Sequence, residues 1–301
     1  MKPPRLLPAV LLVLSLTAAC GLPPGRVTLA LLGDIILGRG VTPSAEALAY
    51  LAPELHRADL ALANLESPLS GNGLRGAAPI PYNLCAPAER AAFLSDWGLD
   101  LLSLANNHAL DCGPDGIGQT RAALAAAGLT GLPPGTPVFE TVRGLRLAFL
   151  AFDDVSVPLD PAAASAVVHA AAAGGTHVVV LIHWGAEYQG GADARQRTLA
   201  QVFAAAGADL VVGSHPHVLQ PAEWIENGGR KTLVLYSLGN ALFDQPGLPD
   251  TRQSALVVVT LGTSGAASAR SVPFAIDVPD SRVTAPDAQT AARVRSELDL
   301  P

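Results

Sequence analysis

Charge is scarce in this sequence. Among 301 residues, charged side chains make up 15% and aromatics 5%, with three cysteines, three tryptophans and one methionine. Lysine occurs only as Lys2 and Lys231. Beside abundant Arg, Ala, Gly and Pro, this scarcity of lysine reads as genome composition. The balance is acidic, 19 basic against 26 acidic residues, for a net charge of -7 and a pI near 5.4. No basic run follows the first few residues, which argues against a nucleic-acid binder. No cysteine has a second one close by, which argues against a thiolate metal site. No apolar run after the N-terminal one is long enough to span a membrane. What remains is apolar material, 50% of the chain, enough for one large or two small domains.

The first twenty residues stand apart. Lys2 and Arg5 precede the apolar stretch LLPAVLLVLSLTAA, which leads into Cys20 and Gly21. This is the pattern of a secretory signal, too short for a spanning helix. Ala18 and Ala19 directly before Cys20 match a bacterial lipobox, with Cys20 as the lipidated N-terminus. Thr17 stands where an aliphatic residue is commoner, and an ordinary signal peptide cut nearby is the alternative. Either way the mature chain is expected outside the cytoplasm, and a lipid would anchor it on a membrane face. Residues 21–26 read as a Pro/Gly linker, 27–280 as one folded domain, and 281–301 as a C-terminal helix and tail. Cys85 and Cys112 remain after Cys20. In an exported protein an even remainder points to a disulfide. It would pin the loop from Pro81 to Pro87 against the segment NNHALDCG. Two unpaired buried thiols are the alternative.

Strand and helix patterns then alternate. VTLALLGD, DLALANLE, GLDLLSLANN, LRLAFLAFD, HVVVLIHWG and DLVVGSH are short apolar runs closed by polar residues, the pattern of buried strands. Helices are expected over 44–52, 88–97, 116–127, 162–173 and 195–206, the first capped by Ser44 and the last closed by Gly207. Residues 70–87, rich in Gly and Pro, read as a long loop. TLVLYSLGN, SALVVVTLG and VPFAIDV follow with no helix between, then a final helix over 287–298. Alternating strands and helices imply a largely parallel sheet. The later strands imply a second sheet or an antiparallel extension. The whole predicts an α/β two-sheet sandwich flanked by helices.

Histidine numbers only seven, yet His108, His183, His215 and His217 all follow apolar runs. The end of a parallel strand lies at the sheet edge where open α/β sheets place ligands. Asp34 and Glu66 end two further strands at that edge. An ionised carboxylate is costly to bury unpaired. Each is therefore a metal ligand or is held locally, Asp34 as the cap of a turn and Glu66 by an arginine. Asn107 offers a carbonyl oxygen. His108 offers a ligand or a general acid, with Asp111 three residues on to orient its ring. A helix-capping Asn pair beside a solvated histidine is the alternative. His215 and His217 flank Pro216. In an extended chain they would point the same way, one to each of two adjacent ions. Asn64, Asn106, Ser214 and Glu187 lie on the same rim. Tyr236, Asn240, Asp244 and Gln245 follow another strand end. They are expected to touch substrate or the ligands, with Asn240 facing the site. A turn at Gly239-Asn240 is the alternative. His56, His169 and His177 have no such company and read as surface or packing residues. A cluster of His, Asn and carboxylate suits one or two divalent ions.

GDIILGR, ANLESPLS, LANNHALDCGPDG, HWGAEY, GSHPHVLQ and YSLGNALFDQ occur in this order over residues 33–245. Together they resemble the bacterial capsule synthesis family typified by the CapA and PgsA proteins of poly-γ-glutamate export and anchoring. The resemblance implies a four-layer α/β/β/α metallophosphatase-like fold. It also implies a membrane-associated, extracytoplasmic role in polyglutamate capsule assembly, with polyglutamate synthase or export proteins and the anionic polymer as partners. More distantly the chain resembles metallophosphoesterases, whose motifs are Asp-x-His, Gly-Asp, Gly-Asn-His and Gly-His-x-His. NNH and SHPH match the last two. The first strand supplies only Asp34, with Ile36 where the histidine would stand, and Glu66 replaces the bridging aspartate. On this resemblance Asn107, His183 and His215 hold one ion of Mn, Fe or Zn, Asp34 and His217 hold another, Glu66 bridges, and His108 protonates a leaving group. Two roles follow. One is a metal-dependent hydrolase of a phosphoester or amide. The other is a non-catalytic lipoprotein that binds the polymer or its synthase. Net negative charge argues against polyanion binding unless a metal or local arginines supply the attraction.

Overall fold

Strands that are apolar on both faces must be covered on both. In the computed structural model, which describes residues 25–71 and 82–300, they form two large sheets packed face to face. The first has eight strands, in the order Arg282–Thr284, Gly265–Asp277, Gln253–Gly262, Arg26–Ile35, Leu60–Leu65, Leu101–Ser103 and Thr130–Leu132, with Asn240–Leu242 paired to Arg26–Ile35. The run from Arg26–Ile35 to Thr130–Leu132 is parallel, and Gln253–Gly262 joins it antiparallel. The second has six strands, Leu219–Asn227, Arg230–Leu238, Ala208–Ser214, His177–His183, Leu145–Asp153 and Val138–Val142, parallel at the centre and antiparallel at both edges.

Three apolar layers set the architecture. Leu29, Leu31 and Leu62 of the first sheet share one buried layer with Phe149, Val179, Leu210 and Leu233 of the second. The other face of the first sheet, with Ala30, Ala61 and Leu102, packs with Leu51, Leu94, Trp97 and Leu124. That of the second, with Leu150, Val180 and Val211, packs with Val168, Leu199 and Phe203 of its helices. Each of these Leu, Val and Phe side chains contributes about 1.5–3 kcal/mol on burial. This is the four-layer α/β/β/α sandwich that the resemblance implied. The helix Ala194–Ala206 is fixed at both ends. Asp193 and Gln196 form a capping box, and Gly207, at φ 102°, closes it in the left-handed conformation.

Several boundaries differ from expectation. The helix expected over 44–52 is a series of turns, and only Ala52–Leu55 is helical. Pro53 fits only the first turn of a helix, so it starts one there instead of ending inside one. The long loop from 70 contributes a short parallel pair, Leu69–Ser70 with Ala86–Pro87. Val138–Val142 and Leu219–Asn227 are strands with no apolar run to announce them. Both are edge strands with alternating burial and exposure at least in part. Residues from 281 onward are integrated into the domain. Arg282–Thr284 joins the first sheet, and Val294 and Leu298 of the last helix are buried in the layer between the sheets. The signal sequence, Cys20 and the linker up to residue 24 lie outside the described residues. Among the described residues no helix is long and apolar enough to cross a membrane.

Candidate metal centre

The strand ends of both sheets converge on one rim. His183 and Ser214 are the last residues of their strands, Asp34 is the last but one of its own, and Glu66 follows directly after another. The two sheets touch there through the His215 backbone N–H, which donates to Asp34 Oδ2 at 3.1 Å. Around His183 Nε2 lie Asn107 Oδ1 at 2.8 Å, His215 Nδ1 at 3.1 Å and Glu66 Oε1 at 3.7 Å. All four atoms carry lone pairs, and one shared proton cannot satisfy them all. Glu66 is 1% exposed, and neither of its carboxylate oxygens has a hydrogen-bond partner. A buried carboxylate in that state demands an explanation, such as an ion.

The electrostatics agree with the crowding. Burial, then the charge of Asp34, holds the Glu66 carboxyl well above 4.5. Burial holds His183 well below 6.5 and lowers His215, with nearby His217 adding to the latter. Both imidazoles are thus neutral, as metal ligands must be. Asp34 behaves oppositely. Burial raises it, but the hydrogen bond and charge of His217 outweigh this and bring it to about 2. Burial likewise lowers His217, but the charges of Glu66 and Asp34 and the Asp34 hydrogen bond carry it up to about 9.

Outer contacts orient these groups. His183 Nδ1 lies 2.9 Å from Ser214 Oγ, which donates in turn to the Ile182 carbonyl at 3.4 Å. Asn64 Nδ2 also lies 3.3 Å from His183 Nδ1, and these contacts hold the ring with Nε2 towards the cluster. His217 Nδ1 lies 2.9 Å from Asn240 Oδ1 and 3.3 Å from Asp34 Oδ2. Asn64 Nδ2 donates to Asp34 Oδ1 at 2.8 Å, and Asn106 Nδ2 donates to Asn64 Oδ1 at 3.2 Å. His108 Nδ1 lies 2.9 Å from Asp111 Oδ2, which also accepts from the Leu84 backbone N–H at 2.7 Å. Cys85, next to Leu84, is disulfide-bonded to Cys112, next to Asp111. The bridge therefore braces the loop that orients His108.

The segment holding His215 and His217 is not extended. Both residues have positive φ, 95° and 59°, which only a well-supported non-glycine residue sustains. Their ring centroids lie 6.0 Å apart. Glu187 is exposed at the mouth, with a carboxylate oxygen within 4.8 Å of ligand atoms of both histidines. Tyr236 is elsewhere. Its hydroxyl donates to Glu223 Oε2 at 2.7 Å and its ring stacks on Trp184, in the layer between the second sheet and its helices. Strand alternation turned it away from the rim. His177 also departs from expectation, with Nδ1 3.3 Å from Asp209 Oδ2 at the opposite end of the strands.

Over the cluster opens a cleft of about 650 Å³ lined by Asn107, His108, Glu187 and His217, and also by Arg39, Tyr188 and Phe243. The last three had not been singled out. Arg39 Nε lies 2.8 Å from both Asp244 oxygens, and its guanidinium sits 5.3 Å from the centroid of the Phe243 ring. Gln245 Nε2 donates to the Tyr188 hydroxyl at 3.1 Å. The GDIILGR and YSLGNALFDQ motifs contained Arg39 and Phe243, but a lone arginine past a strand end carries no spacing signal.

The model of the bacterial capsule synthesis protein PGA_cap matches residues 28–245. PGA biosynthesis protein CapA of Bacillus subtilis (strain 168) is 34% identical over 260 residues, 77% of this chain and 67% of that protein. Capsule biosynthesis protein CapA of Bacillus anthracis is 31% identical over 283 residues, 83% of this chain and 68% of that protein. A hypothetical protein from Thermus thermophilus, known from its crystal structure, superposes with a TM-score of 0.54 at 17% identity, covering 82% of this chain and 99% of that one, a likeness of fold alone. Every rim residue lies inside the matched span. The chain belongs to the bacterial capsule synthesis protein family.

Proposed function

We propose that this chain acts in the biosynthesis of capsular poly-γ-glutamate as an extracytoplasmic lipoprotein whose rim cluster is a metal-dependent hydrolase centre. Family membership supports the process, together with relatives named for capsule and PGA biosynthesis. The sequence Ala18-Ala19-Cys20-Gly21 supports the anchor. Its partners are then the membrane, the polymer, and the proteins that make or export it.

One observation carries the centre. Glu66 is buried with no donor on either oxygen, 3.7 Å from His183 Nε2, on which Asn107 and His215 also converge. Such a carboxylate is stable either protonated or against a cation. Neutral nitrogen and oxygen acceptors crowded around it favour the cation. Glu66, Asn107, His183 and His215 would hold it, a mixed donor set suited to Mn, Fe or Zn. When bound, such an ion supplies Lewis acidity and makes water a nucleophile near neutral pH. The chain's own residues do the rest. His108, aligned by Asp111, stands at the cleft wall to give a proton to a leaving oxygen or nitrogen. Arg39, stiffened by Asp244 and Phe243, offers its guanidinium to an anionic group of the substrate. Phosphoesters and γ-glutamyl amides both meet these requirements.

The test is hydrolysis of both substrate classes by the purified chain with Mn, Fe or Zn. His108→Ala should retain the ion and lose about 10²–10⁴-fold in kcat. Ion binding with no turnover of either class would rule out the hydrolase and leave a binding lipoprotein that supports the polymer or its synthase.

A further inference from the structure

The two halves of the rim differ in where their hydrogen bonds go. From this we infer that the chain holds a single divalent ion, at Glu66, Asn107, His183 and His215, and that the Asp34–His217 pair fills the place of a second. The inference rests on the metal-centre reading above and fixes its stoichiometry.

At the first position neither Glu66 oxygen has a hydrogen-bond partner, and Asn107 Oδ1 and His215 Nδ1 both converge on His183 Nε2. At the second position the protein already supplies partners. Asp34 Oδ2 accepts from the His215 backbone N–H at 3.1 Å and faces His217 Nδ1 at 3.3 Å. The His217 Nδ1–H is directed at Asn240 Oδ1, so its approach to Asp34 adds charge attraction beside the one N–H that Oδ2 accepts. Oδ1 accepts from Asn64 Nδ2 at 2.8 Å. The Asn64 amide is itself fixed by Asn106. His217 is anchored by Asn240, whose amide donates to Gln245 Oε1 at 2.9 Å and to the Thr251 carbonyl at 3.0 Å. These contacts give both Asp34 oxygens and His217 Nδ1 a protein partner before any ion is added.

The ligand count agrees. Two residues after Asp34 the chain carries Ile36, which is 0% exposed and belongs to the apolar layer under the helices. It offers no donor atom and lies in a layer that would not tolerate one unpaired. Glu187 is the remaining acid near His217, and it is exposed to water, so it has no need of an ion. A second ion would have to compete with the His215 and Asn64 N–H donors that already hold the two Asp34 oxygens. In two-ion sites a metal clamps each of the attacking and leaving oxygens. Here His217 and Arg39, which both line the cleft, take over the second clamp.

The experiment uses the full chain in detergent, stripped with EDTA and titrated with Mn(II) by calorimetry and by electron paramagnetic resonance. One equivalent is expected, with the six-line spectrum of an isolated ion. His217→Asn should keep one equivalent, with affinity weakened by no more than about 10–100-fold, since it acts outside the ligand set. His215→Ala should lose the ion. Asp34→Asn, read the same way, serves as a second variant, and melting curves in EDTA check that each protein is folded. Two equivalents in the wild type, with an exchange-coupled spectrum that falls to one equivalent in His217→Asn, would overturn the inference while sparing the metal centre. No uptake by the folded wild type would remove both.

Discussion

Replacing Glu66 by glutamine should act in opposite directions with and without a divalent ion. In the metal-free protein both Glu66 oxygens are buried without a donor, near the ionised Asp34. A buried unsatisfied polar group costs about 1–3 kcal/mol, more when charged. The amide keeps the shape and has neither a proton to gain nor a charge to bury on folding, so Glu66→Gln should stabilise the metal-free fold by about 2 kcal/mol at pH 7.5. The pH dependence follows from linkage. Burial and Asp34 hold the Glu66 carboxyl well above 4.5 in the fold. A carboxyl raised in this way costs nothing below its unfolded value and subtracts stability as pH rises above it. Wild type and variant should therefore differ least near pH 4 and diverge towards neutrality. At about 2–4 °C per kcal/mol for a chain of this size, the variant should melt roughly 4–8 °C higher in EDTA at pH 7.5. With Mn at about 1,000 times its Kd, the wild type gains about 4 kcal/mol. The variant lacks the charged ligand and gains far less, so the order of melting reverses. Calorimetry with EDTA and with Mn reads both halves. A variant that melts below wild type in EDTA, or that gains as much from the ion, would refute the reasoning.

Three further outcomes follow from the same contacts. The Cys85–Cys112 bridge spans 27 residues, so replacing both cysteines by serine should cost about 3.5 kcal/mol in chain entropy. Denaturant titration checks this, and a loss under about 1 kcal/mol would show that the loop is held by other contacts. A Cβ at Gly213 would overlap the Tyr236 carbonyl oxygen and Trp184 Nε1, which are hydrogen-bonded to each other. Gly213→Ala should therefore destabilise by about 3 kcal/mol, the upper end of overpacking, and a melting temperature equal to wild type would contradict it. Because Glu66 must ionise to hold a cation, uptake at neutral pH should expel a proton and strengthen with rising pH. Titration in buffers of different ionisation heat would detect that proton, and equal heats in all of them would argue against it.

Much of the architecture was legible because the central strands are apolar on both faces. LRLAFLAFD is the strand Leu145–Asp153 residue for residue, since nothing polar interrupts its apolar run from Leu147 until Asp153. The edge strands Val138–Val142 and Leu219–Asn227 were not legible, because partners cover them on one side and their polar residues face water. Pro53 shifted a helix that its neighbours' propensity had started earlier. The rim was legible because its residues end apolar runs, and a strand end is a position in space as well as in sequence. What a residue does off the strand is harder to read. The left-handed turns at His215 and His217, the rotation of Tyr236 to the far face and the pairing of Arg39 with Asp244 all depend on contacts between distant segments. The imbalance between Asp34 and Glu66 was invisible for the same reason. Both end strands with the same local pattern, and only the folded chain gives one of them donors and leaves the other without.

The central claim is that a divalent ion belongs at Glu66, Asn107, His183 and His215. Elemental mass spectrometry of the chain purified without chelator, beside His215→Ala, tests it most directly. The account predicts close to one equivalent of Mn, Fe or Zn in the wild type and almost none in the variant. A wild type that carries no ion as purified, and takes none up on titration, would contradict it.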